Sequence, residues 1–156
     1  MELPYSSEGI VLTSDKYRES DRLLAIYTKE HGKIKVISRG SRKMSSKLSP
    51  HLEPLDYVSL MLVNGKVFIT LTGSSKIENF KNLKSSGAYT LLALHLLELV
   101  SESVLENLPD DKIYNLLPEL LRYLNSNKEG GKKKFAPQEI IIAFKLKLLE
   151  FLGLRS

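Results

Sequence analysis

The sequence of 156 residues has no cysteine, no tryptophan and only three histidines. Without cysteine there is no disulfide, thiolate zinc site, iron–sulfur cluster or cysteine nucleophile, and a reducing compartment is favoured. His31, His51 and His95 lie far apart and fit no metal-ligand spacing such as HExxH. The GxSxG elbow and the P-loop spacing are also missing. We therefore predict a binding protein that uses no cofactor, not an enzyme.

Long hydrophobic runs are missing too. The most apolar stretch, residues 91–100, is interrupted by His95 and Glu98 and is shorter than a bilayer crossing requires. Residues 1–4 lack the basic start and the apolar run of a signal peptide. With 42% hydrophobic and 26% charged residues, the chain has the composition of a globular protein. We expect a cytoplasmic protein that makes no membrane contact.

The first half of the chain has the pattern of a β protein. Short runs rich in β-branched and aromatic residues are separated by turn residues, and they cover 9–14, 21–28, 33–40, 56–63 and 66–73. Asn64 and Gly65 between the last two runs suit the two positive-φ positions of a type I′ hairpin turn. Five short strands in such a short segment predict a small closed barrel, either of the oligonucleotide-binding (OB) type or SH3-like.

The second half has a helical period. A helix is expected to start at residues 85–87 and to reach about Leu105, and a second is expected to open at residues 109–111. Pro118 within the second pattern predicts a kink or a fresh start. Pro137 lies near the start of a final helix, and Gly153 suits its C-terminal cap. The sequence thus predicts an α+β protein, with a five-stranded barrel over residues 1–74 and an all-α helical domain over residues 75–156.

The positive charge is concentrated at the third predicted strand. Residues 29–47 contain seven cations and one acid, a local net charge of +6 in a chain whose total is +5. The cations are Lys29, Lys33, Lys35, Arg39, Arg42, Lys43 and Lys47. Because side chains alternate along a strand, Lys33, Lys35, Ile37 and Arg39 should share one face, with successive positions about 7 Å apart. That spacing resembles the spacing of phosphates along an extended strand, which predicts nucleic-acid binding.

The alternative is that these cations are ordinary solvated residues on an outer sheet face. Stacking aromatic side chains would favour nucleic acid, and the candidates are Tyr27, Tyr57 and Phe68, each of which could equally belong to the core. A second basic run, residues 132–134, is more typical of a solvated loop. We expect binding driven by the phosphate backbone, with little sequence preference.

The order and spacing of several short motifs resemble the family of the bacterial DNA repair protein RecO, a recombination mediator. The resemblance spans nearly the whole chain. Its motifs are Glu8-Gly9-Ile10-Val11-Leu12, Tyr17-Arg18-Glu19-Ser20-Asp21-Arg22-Leu23-Leu24, Tyr27-Thr28-Lys29-Glu30-His31-Gly32-Lys33, Ser38-Arg39-Gly40-Ser41-Arg42-Lys43, Leu52-Glu53-Pro54-Leu55 and the closing residues 144–153.

The resemblance implies an N-terminal OB-fold followed by a helical domain. It implies binding of single- and double-stranded DNA, annealing of complementary strands, and help in loading the recombinase RecA onto DNA coated by single-strand-binding protein, together with the partner RecR. Such a protein would be cytoplasmic and nucleoid-associated. Carried over by position, Lys35, Arg39, Arg42 and Lys43 would contact the DNA backbone, and the charge pattern adds Lys33 and Lys47.

Family members usually continue past the equivalent of Gly153 into a cysteine-bearing, often zinc-binding segment and further helices. This sequence stops at Ser156. It is expected to be either a shortened form or a naturally short member. The docking pocket for the acidic tail of single-strand-binding protein involves the region that is missing here, and Arg122, Lys145 and Lys147 could rim such a pocket.

Three other functions remain open. The helical half could be a protein-interaction module to which the barrel is accessory, or the barrel could be an RNA-binding OB protein of the translation machinery. A nuclease would need a magnesium site, for which the candidate ligands are Glu8, Asp15, Glu19 and Asp21, although their scatter matches no known ligand pattern.

Overall fold

A computed structural model describes residues 3–40, 52–126 and 135–153. Within these residues, five strands and four helices follow one another. The strands are β1 (Tyr5–Lys16), β2 (Arg22–Thr28), β3 (Gly32–Ser38), β4 (Tyr57–Asn64) and β5 (Ile69–Glu78). The helices are α1 (Lys81–Lys84), α2 (Gly87–Ser103), α3 (Asp111–Asn125) and α4 (Pro137–Phe151). The predicted order of a β half and an α half is therefore confirmed.

The strands form a closed barrel in the order β1-β2-β3-β5-β4. All neighbours are antiparallel except β3 and β5, which pair in parallel through Val36 with Ile69 and Ile37 with Thr70. This topology is that of an OB-fold barrel, so the predicted fold class is confirmed. β5 continues to Glu78, four residues past the boundary expected at residue 74.

β1 is long because it closes the barrel, pairing with β4 through its first half and with β2 through its second. The two sets of pairs overlap at Gly9 and Ile10. A Cβ at Gly9 would lie 2.7 Å from the carbonyl oxygen of Tyr27. Only glycine lets the two strands approach this closely at the point where β1 changes partner.

The hairpin predicted between the fourth and fifth strands exists, but its predicted two-residue turn is wrong. β4 ends at Asn64, β5 begins at Ile69, and the four residues between them form the loop. Neither Asn64 nor Gly65 has a positive φ, as a type I′ turn would require. The Gly65 N–H donates to the Phe68 carbonyl at 3.0 Å, and the Phe68 ring contacts Tyr17. The wider loop therefore brings Phe68 to the β1–β2 turn.

The helix boundaries follow the capping residues. The Ser86 side chain accepts from the Tyr89 N–H at the start of α2, and the Asp110 carboxylate accepts from the Lys112 and Ile113 N–H groups at the start of α3. Pro137 begins α4, and Gly153 follows it with φ +72°. At Pro118 the sequence predicts a kink or a fresh start. The fresh start is wrong, because α3 runs through this buried residue without interruption, and the kink stays a prediction. The short helix α1 had no sequence signal.

Two hydrophobic clusters organise the molecule. One fills the barrel interior and includes Val11, Leu24, Ile26, Ile34 and Val36. The other joins the outer face of the barrel to the helices, through barrel residues Ile10, Leu12, Ala25, Tyr27, Leu55 and Tyr57. Since the outward-pointing residues of β1 pack on α2 and α3, and α4 packs on those two helices, the two halves share one core. The helices therefore cover part of the sheet face that carries the predicted DNA-binding cations.

Candidate nucleic-acid interface

The cations of β3 lie on the outer face of the barrel, as strand alternation predicts. Ile34 and Val36 point into the barrel, whereas Lys33 is half-buried and Lys35 and Arg39 are exposed on the other side. Lys33 pairs with Tyr27 and Lys35 with Ala25, and both of these partners pack against the helices. The outer barrel face that carries Lys33, Lys35 and Arg39, which we call the basic face, is therefore continuous with the face that the helical half covers.

Lys33 is held by the helical half. Its Nζ donates to the Ser101 carbonyl at 2.6 Å, in the last turn of α2. The final carbonyls of a helix have no partner within the helix and carry the negative end of its dipole, so they favour a cation. The last turn of α2 has no basic residue of its own. The barrel thus supplies the cation that the helix lacks.

The α2–α3 linker also pairs with β3. The Asn107 N–H donates to the Lys33 carbonyl at 2.9 Å, and Lys33 forms an isolated bridge with Glu106. Two residues after Lys33 on the same strand, the Lys35 Nζ lies 3.5 Å from the Glu106 carboxylate. The side chains of both residues are about half exposed, 48% and 45%. At this exposure the ion pair is screened by solvent and stabilises only weakly.

The helix-side cleft, as we name it, lies between these lysines and α2. Its lining residues are Leu12, Thr13, Ser14, Asp15, Leu23, Ala25, Lys33, Lys35, Pro54, Leu94, Glu98, Ser101 and Glu102. Two cations therefore face three carboxylates in this cleft. Carboxylates at a phosphate-binding surface repel the ligand, so this part of the basic face is poorly suited to a polyanion.

The loop-end cleft lies further along the same face, beyond the end of β3. It has a volume of about 220 Å³ and is lined by Tyr17, Arg18, Ile37, Arg39, Gly65, Lys66, Val67 and Phe68. These eight lining residues include three cations and no carboxylate. Tyr17 and Phe68 meet edge to face with ring centroids 5.2 Å apart, and the Arg18 guanidinium lies 5.3 Å from the Tyr17 ring centroid. Cations and exposed aromatic rings together are typical of a single-strand binding surface.

Sequence reasoning did not single out Arg18, Lys66 or Tyr17 as site residues. They are separated from Arg39 along the chain and come together only because the barrel brings the β1–β2 turn and the β4–β5 hairpin to one place. The predicted OB-fold could have indicated these residues, because the β1–β2 and β4–β5 connections border the ligand-binding face of OB-folds. The Asp21 carboxylate helps to hold the arrangement by accepting from the Gly40 N–H at 2.8 Å.

Three of the predicted DNA contacts, Arg42, Lys43 and Lys47, lie outside the described residues, as does the basic run 132–134. Of the three candidate stacking aromatics, Tyr27 and Tyr57 belong to the core shared with the helices. Burial raises the pKa of Tyr27 to about 12. The hydroxyls of Tyr57 and Tyr114 are 3.1 Å apart. Phe68 alone among these candidates lies at the surface.

The three cations predicted to contact a protein partner have different surroundings in the structure. Arg122 donates through Nε and Nη2 to the Glu78 carboxylate at the end of β5, and this bond raises the pKa of the arginine. Lys147 borders a groove between α3 and α4 that is mostly apolar and includes Tyr123, Phe135 and Phe144. Lys145 is exposed on α4 and does not line that groove.

The candidate magnesium ligands do not assemble. Within residues 3–40, 52–126 and 135–153, no three histidine, aspartate or glutamate side chains form a group that could hold a metal ion. This range includes Glu8, Asp15, Glu19 and Asp21. In the same part of the chain, no helix has both the length and the hydrophobicity to traverse a bilayer.

Comparison with known proteins gives one consistent family. Residues 1–80 match the family described as recombination protein O N terminal, and residues 85–155 match recombination protein O C terminal. The chain is 34% identical over 149 residues to the DNA repair protein RecO of Alkaliphilus metalliredigens, covering 96% of this chain and 58% of that protein. It is 35% identical over 149 residues to the DNA repair protein RecO of Listeria monocytogenes serotype 4b, covering 94% and 55%. It is 29% identical to the same-named protein of Bacillus pumilus, covering 96% and 56%. The chain therefore spans about half the length of the curated relatives it matches.

Proposed function

Since the chain belongs to the recombination protein O family of DNA repair proteins, we propose that it binds DNA along the outer face of its barrel and acts without a catalytic step of its own. The observation that carries the proposal is the loop-end cleft, where three cations and two aromatic rings meet and the described lining residues include no carboxylate. Lys35 adds a weaker contact further back along β3, where Glu106 and the carboxylates of the helix-side cleft oppose a phosphate. Arg42, Lys43 and Lys47 follow Arg39 in the sequence. Phosphates would be the main contacts, because the cations outnumber groups that could read base edges.

We propose that the protein binds both single- and double-stranded DNA. Bound strands that are complementary would anneal, because neutralising their phosphates removes the repulsion between them. We further propose that this activity serves to load RecA indirectly onto DNA covered by single-strand-binding protein, with RecR as partner. The apolar groove between α3 and α4, with Lys147 at its border, supports a protein contact on the helical half. Lys145 and Arg122 lie outside that groove and are the weaker members of the partner prediction.

The test of DNA binding is a salt series on a labelled single strand. Engagement of about five phosphates predicts a slope on the order of −3 to −4 in the plot of log affinity against log salt concentration. Arg39→Ala should weaken binding to every sequence roughly fivefold, equivalent to about 1 kcal/mol, and reduce the slope by about 0.7.

The matched control is Lys112→Ala, which removes one exposed cation from the start of α3 that does not line the loop-end cleft. It should leave both affinity and slope nearly unchanged. A slope close to zero for the unsubstituted protein, or equal losses for the two variants, would contradict DNA binding by this face. A fluorescence strand-annealing assay on the same proteins then tests the mediator role.

A further inference from the structure

Tyr17 and Phe68 are aromatic residues that the folded core does not use. Neither belongs to the cluster inside the barrel or to the cluster shared with the helices. Tyr17 is 40% exposed, Phe68 is partly exposed, and the neighbouring Val67 at the hairpin tip is 81% exposed. Aromatic rings held at the surface by two separate loops, outside any core, point to a ligand with a flat apolar face.

The geometry of the ring pair leaves a surface for such a ligand. The rings are inclined at 82°, so one turns its edge to its neighbour and the two do not stack. In this arrangement Phe68 keeps at least one face that Tyr17 does not cover. The Arg18 guanidinium lies over the Tyr17 ring, which makes Phe68 the better platform of the two. Arg39 and Lys66 line the same cleft and supply positive charge beside the ring.

We infer that Phe68, walled by Tyr17, is a stacking site for one unpaired nucleobase, and that Arg18, Arg39 and Lys66 bind the phosphates on either side of it. The inference rests on the proposed DNA binding and adds strand selectivity to it. Every base has a π face, so stacking tolerates any sequence. In a duplex both faces of each base are covered by its neighbours, and exposing one requires unstacking that costs free energy. The loop-end cleft therefore favours single strands over duplex.

The experiment compares three labelled probes at one salt concentration: a 20-mer of oligothymidylate, a 20-mer in which every base is replaced by an abasic site, and a 20-base-pair duplex. The first two carry the same phosphates and differ only in their bases. The unsubstituted protein should bind oligothymidylate roughly tenfold more tightly than the abasic strand, the gain typical of one base stacked on an aromatic ring. Phe68→Leu should lower the oligothymidylate affinity to the abasic level and leave the other two affinities unchanged.

Phe135→Leu is the matched control, because Phe135 is another exposed phenylalanine, 63% accessible, on the helical half. It should leave all three affinities unchanged. A second readout uses a single 2-aminopurine in the oligothymidylate strand. Its fluorescence should fall on binding to the unsubstituted protein, because stacking quenches it, and should not fall with Phe68→Leu. Circular dichroism of each variant establishes that it is folded, and Tyr17→Leu provides an independent variant of the same site.

Failures of the two proposals are distinguishable. If none of the three probes binds, DNA binding itself is wrong. If the oligothymidylate and abasic strands bind equally well, or if Phe68→Leu weakens all three probes alike, DNA binding stands and the stacking site is wrong. In that case the Tyr17–Phe68 contact serves only to hold the two loops together.

Discussion

The helix-side cleft and the loop-end cleft adjoin the same strand and differ in what surrounds their cations. At the start of β3, Lys33 bonds to the end of α2 and Lys35 faces Glu106, with three carboxylates lining the cleft. Beyond its end, Arg39 lies with Arg18 and Lys66 beside two aromatic rings and no lining carboxylate. A cationic strand is therefore not uniform as a ligand surface. Residues on one face contribute to folding at one end and are proposed to contribute to binding at the other.

Gly32, the first residue of β3, and Gly40, two residues past its end, offer the strongest test of this difference. Gly32 and Gly40 both have positive φ, +67° and +69°. A Cβ at Gly32 would lie 2.6 Å from the Leu108 carbonyl oxygen in the α2–α3 linker, whereas a Cβ at Gly40 would have no heavy atom of the described residues within 4 Å. Gly32→Ala should therefore lower the free energy of unfolding by about 3 kcal/mol, combining left-handed strain with overpacking against backbone.

Gly40→Ala is the control for that substitution, because it adds the same strain without the contact. It should lower the free energy of unfolding by only about 1–2 kcal/mol. Urea denaturation of both variants measures the difference. Equal losses would show that the linker yields easily at Gly32, and that the barrel is not tightly fixed to the helical half at this point.

Substitution of Lys33 should have the next largest effect on the free energy of unfolding. Lys33→Met keeps the aliphatic stem but removes the cation that bonds to the Ser101 carbonyl, so the free energy of unfolding should fall by roughly 1–2 kcal/mol. Lys35→Met is its counterpart on the same face, and loss of its exposed ion pair should cost about 0.5 kcal/mol or less. Urea denaturation and single-strand affinity are measured on both variants.

The two substitutions should affect different measurements, one mainly stability and the other mainly DNA affinity. Lys33→Met is expected to change stability and to leave DNA affinity within about twofold, while Lys35→Met is expected to weaken DNA binding more than it weakens folding. If Lys33→Met reduces DNA affinity as much as Lys35→Met does, the hydrogen bond to Ser101 opens readily and Lys33 joins the DNA-binding surface, as the charge pattern alone predicts.

The sequence was sufficient for features that depend on local chemistry. Alternation placed Ile34 and Val36 inside the barrel and Lys33 and Lys35 outside, and the serine, aspartate, proline and glycine signals marked the helix ends. It was insufficient where a contact joins distant segments. Nothing in the charge pattern indicates that Ser101 and Glu106 lie against β3, because that depends on how the helices pack on the barrel.

The loop-end cleft could not be predicted from the sequence for the same reason, because it joins residues from distant segments. Arg18 and Lys66 are about fifty residues apart, and each is an ordinary turn cation by itself. Phe68 was a candidate for stacking, but the predicted two-residue turn would have placed it within the strand. The four-residue loop instead presents it beside Tyr17. Local turn propensity was outweighed by this contact between two loops.

The smallest expected effect concerns the carboxylate that faces Lys35. Glu106→Gln removes the negative charge 3.5 Å from the Lys35 Nζ while keeping the shape of the side chain. A phosphate then no longer competes with Glu106 for this lysine, so single-strand affinity at low salt should rise about twofold, in keeping with the small energy of an exposed ion pair. Glu119→Gln on α3 makes the same change in net charge away from the barrel face and should have less effect. An equal rise in both variants would mean that only net charge matters. A rise confined to Glu106→Gln that fades at high salt would mean that the helical half limits how far the DNA-binding surface extends along β3.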